Sequence, residues 1–224
     1  MNVGVILPTF RDDVRDALEV ADQCERHGLD GVFAYDHLWP MGSPTRPSLA
    51  PFPVLAAVAR RCSTLVVGPL VARVGMVSTD HLVAQFRSLA TLAPGRVIAA
   101  IGTGDAKSRD ELEGYGLAFA SADERRALIE ETATALRDEM DVWIGAGAPA
   151  TNDLARRLGV ALNVWDSDIE RTAAFASAGP MTWAGPARED LRDWLDRLER
   201  VGAQWAVFAP GVDLAALANW RRER

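Results

Sequence analysis

Short apolar runs, each closed by polar or glycine-rich residues, alternate along the chain with longer stretches whose apolar side chains recur every three or four positions. The first kind reads as a buried parallel strand, the second as an amphipathic helix. Val3–Pro8 precedes a helical stretch from Asp12 to His27, with Val14, Leu18, Ala21 and Cys24 on one face and Gly28 as its stop. Strands are predicted next at Gly31–Ala34, Thr64–Val71, Arg96–Gly102, Val142–Gly145, Ala161–Val164, Met181–Ala184 and Trp205–Ala209. Helices are predicted between them: one ending near Arg61, then Thr79–Ala93, Ala122–Arg137, Asn152–Leu158, Asp168–Ala178 and Pro186–Val201, with Leu214–Arg222 closing the chain.

Eight strand-then-helix units in order predict an α/β fold, a compact (β/α)8 TIM barrel, because parallel strands joined by helical crossovers lose their edges by forming a ring. A doubly wound open sheet is the alternative. At about 28 residues per unit the barrel has reduced loops. No repeat or low-complexity linker divides residues 1–224, so one domain is expected.

Composition narrows the function. With 49% hydrophobic residues the chain can fill a large core. A formal net charge of −7 argues against a nucleic-acid partner, which favours a basic face. No apolar run approaches the roughly 18–20 residues that span a bilayer, and the chain opens on a strand rather than a leader, so a cytoplasmic protein is expected. Cys24 and Cys62 lack CxxC spacing and read as buried thiols.

In a barrel, the carboxyl ends of the strands share one mouth. The residues predicted there are Thr9-Phe10, Asp36-His37, Ala72-Arg73, Thr103-Gly104-Asp105, Gly145-Ala146-Gly147, Asp166 and Trp183. With three histidines in the chain, two of them in helical stretches, a metal centre is not expected. No Gly-x-Ser-x-Gly elbow and no strand-end cysteine offers a nucleophile. Gly102-Thr103-Gly104 and Gly145-Ala146-Gly147 are two glycine turns whose amides, with the Thr103 hydroxyl, suit a phosphate, or are simply turns. His37 beside Asp36 is a candidate proton carrier or a backbone-bonded loop residue. Asp105 is a candidate acid or a turn residue, and Arg73 a site residue or a surface charge past its strand. Trp39, Trp143, Trp165 and Trp183 read as core or wall aromatics.

Several segments together resemble the luciferase-like flavin monooxygenase superfamily, particularly its branch using the deazaflavin coenzyme F420. They are Gly28-Leu29-Asp30-Gly31-Val32-Phe33-Ala34-Tyr35-Asp36-His37-Leu38, the run from Leu89 through Arg96-Val97 to Gly102-Thr103-Gly104-Asp105, Trp143 to Pro149, and Trp183 to Leu191. The resemblance implies a barrel that binds F420, or alternatively FMN, and transfers a hydride to or from a small organic substrate. It implies that His37 and Asp105 are catalytic, and that Asp36, Ala72, Arg73, Thr103, Gly104, Gly145, Ala146 and Gly147 hold the cofactor. A non-prolyl cis peptide behind the ring is expected at Ala72-Arg73, within one residue. Relatives are commonly homodimers through outer helices, so a homodimer is expected.

Two departures qualify these expectations. Arg137 to Asp141 leads straight to the fifth predicted strand, and Ala178-Gly179-Pro180 is all that precedes Met181, where relatives carry insertions. The lack of lysine at the other strand ends argues against a sugar phosphate as substrate. An FMN-dependent monooxygenase and a non-catalytic flavin-binding protein are the two competing readings.

Overall fold

The computed structural model describes residues 1–40, 42–104 and 108–224, so Asp105 lies outside the described residues. The first half of the chain forms β1 (Asn2–Ile6), α1 (Arg15–His27), β2 (Gly31–Ala34), α2 (Pro51–Arg61), β3 (Val66–Pro69), β4 (Ala72–Arg73), α3 (Thr79–Leu92) and β5 (Ile98–Gly102). The second half forms α4 (Arg109–Gly114), α5 (Ala122–Leu136), β6 (Asp141–Gly145), α6 (Pro149–Leu158), β7 (Ala161–Trp165) and α7 (Ile169–Ala176). It ends with β8 (Met181–Gly185), α8 (Leu191–Arg200), β9 (Trp205–Phe208) and α9 (Leu214–Arg222).

The sheet runs β3-β2-β1-β9-β8-β7-β6-β5-β4, and every pairing is parallel. Its two ends, β3 and β4, are consecutive halves of one stave. Val67 bridges Val97 at the base of β5, while Ala72 and Arg73 pair with Ile101 and Gly102 at its top. The ring is therefore an eight-staved, nearly closed barrel, and the open-sheet alternative falls because the sheet's ends meet.

The third stave breaks where the sequence predicted continuity. The Leu70-Val71 peptide is cis, two residues before the expected Ala72-Arg73. Ala72 and Arg73 are in register with β5, so the interruption has to precede them. Leu70 and Val71 both join the cluster inside the barrel, whereas a regular strand sends neighbouring side chains to opposite faces.

Two layers of apolar packing hold the barrel. Inside, Phe33, Trp143 and Trp205 pack on one another at 5.3–5.7 Å between ring centroids, with Ile6, Ile98, Ala100 and Val207 around them. Outside, the other strand faces pack on the helices. Trp183 belongs to this outer layer, fully buried against Trp194 and Phe208, so it is not at the mouth as predicted. A buried strand is apolar on both faces, and its sequence does not reveal which one points inward.

Side-chain caps set several helix starts: Ser78 for α3, Asp168 for α7, Asp213 for α9 and a Ser121–Glu124 capping box for α5. Asp190 accepts the Asp193 amide and starts α8 five residues later than the predicted Pro186. At the other end of α1, Gly28 adopts φ 70° and closes the helix where the sequence placed its stop.

Candidate functional site

The strand ends bring Phe10, Tyr35, Asp36, His37, Arg73, Thr103, Gly104 and Gly145–Gly147 to one end of the barrel, where the topology of a parallel ring gathers them. Asp36 and His37 follow β2 directly. Arg73 ends β4, one stave away, and its main-chain N–H donates to Asp36 Oδ2 at 2.8 Å. Its side chain is 4% exposed, which excludes the surface-charge reading.

A fourth residue completes this cluster. Glu111, from α4, is 1% exposed. Its Oε1 lies 2.8 Å from His37 Nδ1, and its Oε2 accepts the Leu38 N–H at 3.0 Å. The Arg73 guanidinium forms an ion pair with the same Oε2, at 3.1 Å from Nη2, without hydrogen-bond alignment. Three staves' worth of loop are thus joined through one buried carboxylate. Sequence reasoning missed Glu111 because α4 is a single short polar helix without an apolar stripe. The one hint was Leu112 beside it.

Burial dominates the electrostatics of Asp36 in this corner. Burial pushes its carboxyl above the usual aspartate range, and the nearby Glu111 charge adds to the rise; the Arg73 amide and guanidinium and His37 pull the other way. Burial also pushes the Tyr35 hydroxyl up to about 12, so it remains a phenol at neutral pH.

Aromatic rings line the adjoining wall. Phe10 stacks on Tyr35 with centroids 5.3 Å apart and an 8° interplanar angle. His37 stands edge-on to both, at 6.1 and 6.2 Å. Trp165, half exposed at the end of β7, contacts Tyr35 at 6.0 Å. Trp143, by contrast, is part of the barrel's inner packing, and Trp39 stacks on the exposed Tyr115.

The glycine turns behave differently from each other. Gly104 has φ 65°, a conformation that L side chains rarely adopt, and Thr103 Oγ1 donates to its carbonyl at 3.0 Å. Ala146 and Gly147 have already used their amides, on Asn163 O at 2.7 Å and Asn152 Oδ1 at 3.1 Å. That turn supplies a wall of glycine and alanine rather than a set of anion donors. Between the two turns sits Val71: a Cβ on Gly102 would overlap its Cγ2, and one on Gly145 would touch it at 3.5 Å. The bulge, the stacked rings and the bare glycine rim leave a surface that fits a planar ring system with a chain leading away.

Three arginines near this mouth are paired. Arg11 meets Asp16, Arg73 meets Glu111, and Arg188 meets Asp166 at 2.8 Å. Asp166 itself has φ 50° at the end of β7. Among the described residues no group of three His, Cys, Asp or Glu side chains could hold a metal, and no helix is long and apolar enough to cross a membrane.

Comparison with known proteins adds the family. The luciferase-like monooxygenase profile matches residues 1–141, from β1 through α5 into the start of β6. The chain belongs to that family. Within it, the chain is similar to the F420-dependent glucose-6-phosphate dehydrogenase of Nakamurella multipartita, 27% identical over 168 residues, covering 62% of this chain and 49% of the relative. It is 32% identical over 168 residues to the enzyme of the same name from Intrasporangium calvum, covering 74% and 48%. The chain thus spans about half the length of the curated relatives it matches.

Solved structures share the barrel. An F420-dependent secondary alcohol dehydrogenase, in complex with an F420-acetone adduct, superposes with a TM-score of 0.79 at 14% identity, covering 97% of both chains. The coenzyme F420-dependent tetrahydromethanopterin reductase of Methanopyrus kandleri does so with 0.76 at 12% identity, covering 98% of this chain and 96% of that one. At such identities the likeness concerns the fold.

Proposed function

We propose that this chain is an F420-dependent oxidoreductase that transfers a hydride between the deazaflavin and a small, uncharged organic substrate. The observation that carries this reading is the corner where the Phe10–Tyr35 stack, His37 and the buried Asp36–Arg73–Glu111 cluster adjoin the Val71 bulge and its glycine rim. The names of the family relatives support the choice of cofactor.

When bound, F420 supplies a carbon that gives or takes a hydride; the protein supplies position and charge. In this reading Asp36, Ala72, Arg73, Thr103 and Gly104 hold the ring side, and Gly145, Ala146 and Gly147 form the small-residue wall beside it. The stacked Phe10 and Tyr35 rings keep water from one flank. His37 moves the proton that accompanies hydride transfer, on the ring edge turned away from Glu111. Asp105 is proposed as a second acid.

The pairing of these three arginines supports an uncharged substrate, because a sugar phosphate calls for cations that are free to meet it. A homodimer in the cytoplasm, acting as one domain per chain, is the setting proposed for this activity.

Titration of the purified protein with F420 and with FMN, followed by fluorescence, tests the reading. Micromolar binding of F420 without binding of FMN is expected. Binding of FMN alone, with oxygen uptake on turnover, turns the reading toward a monooxygenase. Binding of neither overturns it.

A further inference from the structure

The proton chemistry assigned above to His37 leaves open what decides which of its two nitrogens carries the proton. The geometry points to Glu111. We propose that Glu111 is a positioning residue that fixes His37 as its Nδ1–H tautomer, so that Nε2 is kept bare as a proton acceptor at the mouth. This rests on the functional reading above for its purpose, but not for its test.

The argument starts from Glu111's own surroundings. Oε2 faces two donors, the Leu38 N–H at 3.0 Å and the Arg73 guanidinium at 3.1 Å. A carboxylate in an ion pair accepts hydrogen bonds and has none to give. Its remaining oxygen, Oε1, is 2.8 Å from His37 Nδ1, a contact that is bonding only if the imidazole donates. A neutral imidazole that donates from Nδ1 has its lone pair on Nε2. Among the described residues this is the hydrogen bond the ring makes.

Orientation follows from the same contacts. His37 Nδ1 is turned against a side chain that is 1% exposed, whereas the His37 side chain is 22% exposed, so the ring surface reaching the mouth lies on its other edge. Phe10 and Tyr35, each edge-on to the imidazole, limit its tilt. The charged groups gathered here are Asp36, Arg73 and Glu111, from the ends of β2 and β4 and from α4. Only Glu111 makes a hydrogen bond to the ring among them.

The test reads the tautomer directly, by long-range 1H–15N correlation on 15N-labelled protein without cofactor, at alkaline pH where imidazoles are neutral. The chain has three histidines, and H37N assigns the signal of interest by its loss. The expected wild-type pattern is protonated Nδ1 and bare Nε2. In E111Q the carboxamide oxygen is drawn to the two donors at Leu38 and Arg73, which turns its NH2 toward Nδ1. The pattern is then expected to invert, to bare Nδ1 and protonated Nε2.

A wild-type protein with protonated Nε2 overturns the proposal, whether or not E111Q folds. A folded E111Q that keeps the wild-type pattern overturns it as well. Protonated Nδ1 in a protein that binds no F420 would remove the functional reading and leave the tautomer assignment standing. Protonated Nε2 in a protein that binds F420 would do the reverse.

Discussion

Asp36 is held by the main-chain amide of Arg73, at 2.8 Å, while the guanidinium of that same residue turns to Glu111. One residue thereby serves two carboxylates through two different groups. The division matters for charge: the guanidinium pairs with Glu111, and at Asp36 burial outweighs the pull of the Arg73 amide, the nearby guanidinium and His37.

The pH dependence of Asp36 follows from this. Its folded-state carboxyl lies above the ordinary range, so in the window between the two values the folded protein binds more protons than the unfolded chain. Stability contributed by this site falls as pH rises through that window. Asp36→Asn stays neutral throughout, and its stability relative to wild type is expected to improve as pH rises from the acid side to neutrality. Urea unfolding at a series of pH values checks this; curves that stay parallel would contradict it.

Glu25 has the opposite sign. Burial by itself would raise its carboxyl, but the Thr64 amide and hydroxyl and the Ser63 amide, at 2.8, 3.0 and 2.5 Å, together hold it below the usual glutamate range. The contribution is present above the unfolded value and is lost as pH falls through the folded one. Glu25→Gln is expected to cost about 1 kcal/mol near neutrality, below the usual figure for bonds to a charged acceptor because the partly exposed site is screened by solvent. The difference from wild type should vanish in acid, as measured by chemical denaturation at both pH values.

Removing one partner of the buried Arg73–Glu111 pair strands the other. Arg73→Met leaves an uncompensated carboxylate at a site 1% exposed and is expected to destabilise the protein by about 3 kcal/mol. Adding Glu111→Gln to that variant is expected to recover part of the loss. A double-mutant cycle by urea unfolding measures the coupling, and simple additivity of the two losses would show that the pair is not coupled.

Gly102→Ala tests the bulge. The new methyl group would overlap Val71 Cγ2, so the side chain that sits between the two glycine turns has to move. The expected result is a folded protein whose F420 affinity drops on the order of tenfold, about 1.4 kcal/mol. Unchanged affinity in the fluorescence titration would place the cofactor away from this bulge.

Much of the fold was legible because the pattern is strong where the strands are buried on both faces. The Gly31–Ala34 run and the Gly28 helix stop appear where they were read. A cis bond at the end of the third strand was expected from the resemblance, but at Ala72-Arg73 rather than Leu70-Val71, because a cis bond leaves no trace in hydrophobic period that would fix its place. Trp183 was put at the mouth because all five positions of β8 are buried, and burial on both faces does not tell inward from outward. At the site, Asp36, His37 and Arg73 were named and lie together. Glu111 was not, because three acidic residues share the six of α4 and only tertiary packing distinguishes the buried one. The anion reading of Gly145–Gly147 faltered on Asn152 and Asn163, polar partners that no local motif announces.

One carboxylate of α4, Glu111, ties the crossover between β5 and α5 to the tips of β2 and β4. Remodelling that crossover to admit a bulkier substrate would therefore disturb the imidazole at the same time. Among the described residues the Asp166–Arg188 pair at the end of β7 makes no bond to Glu111, so diversification of specificity has a freer route there.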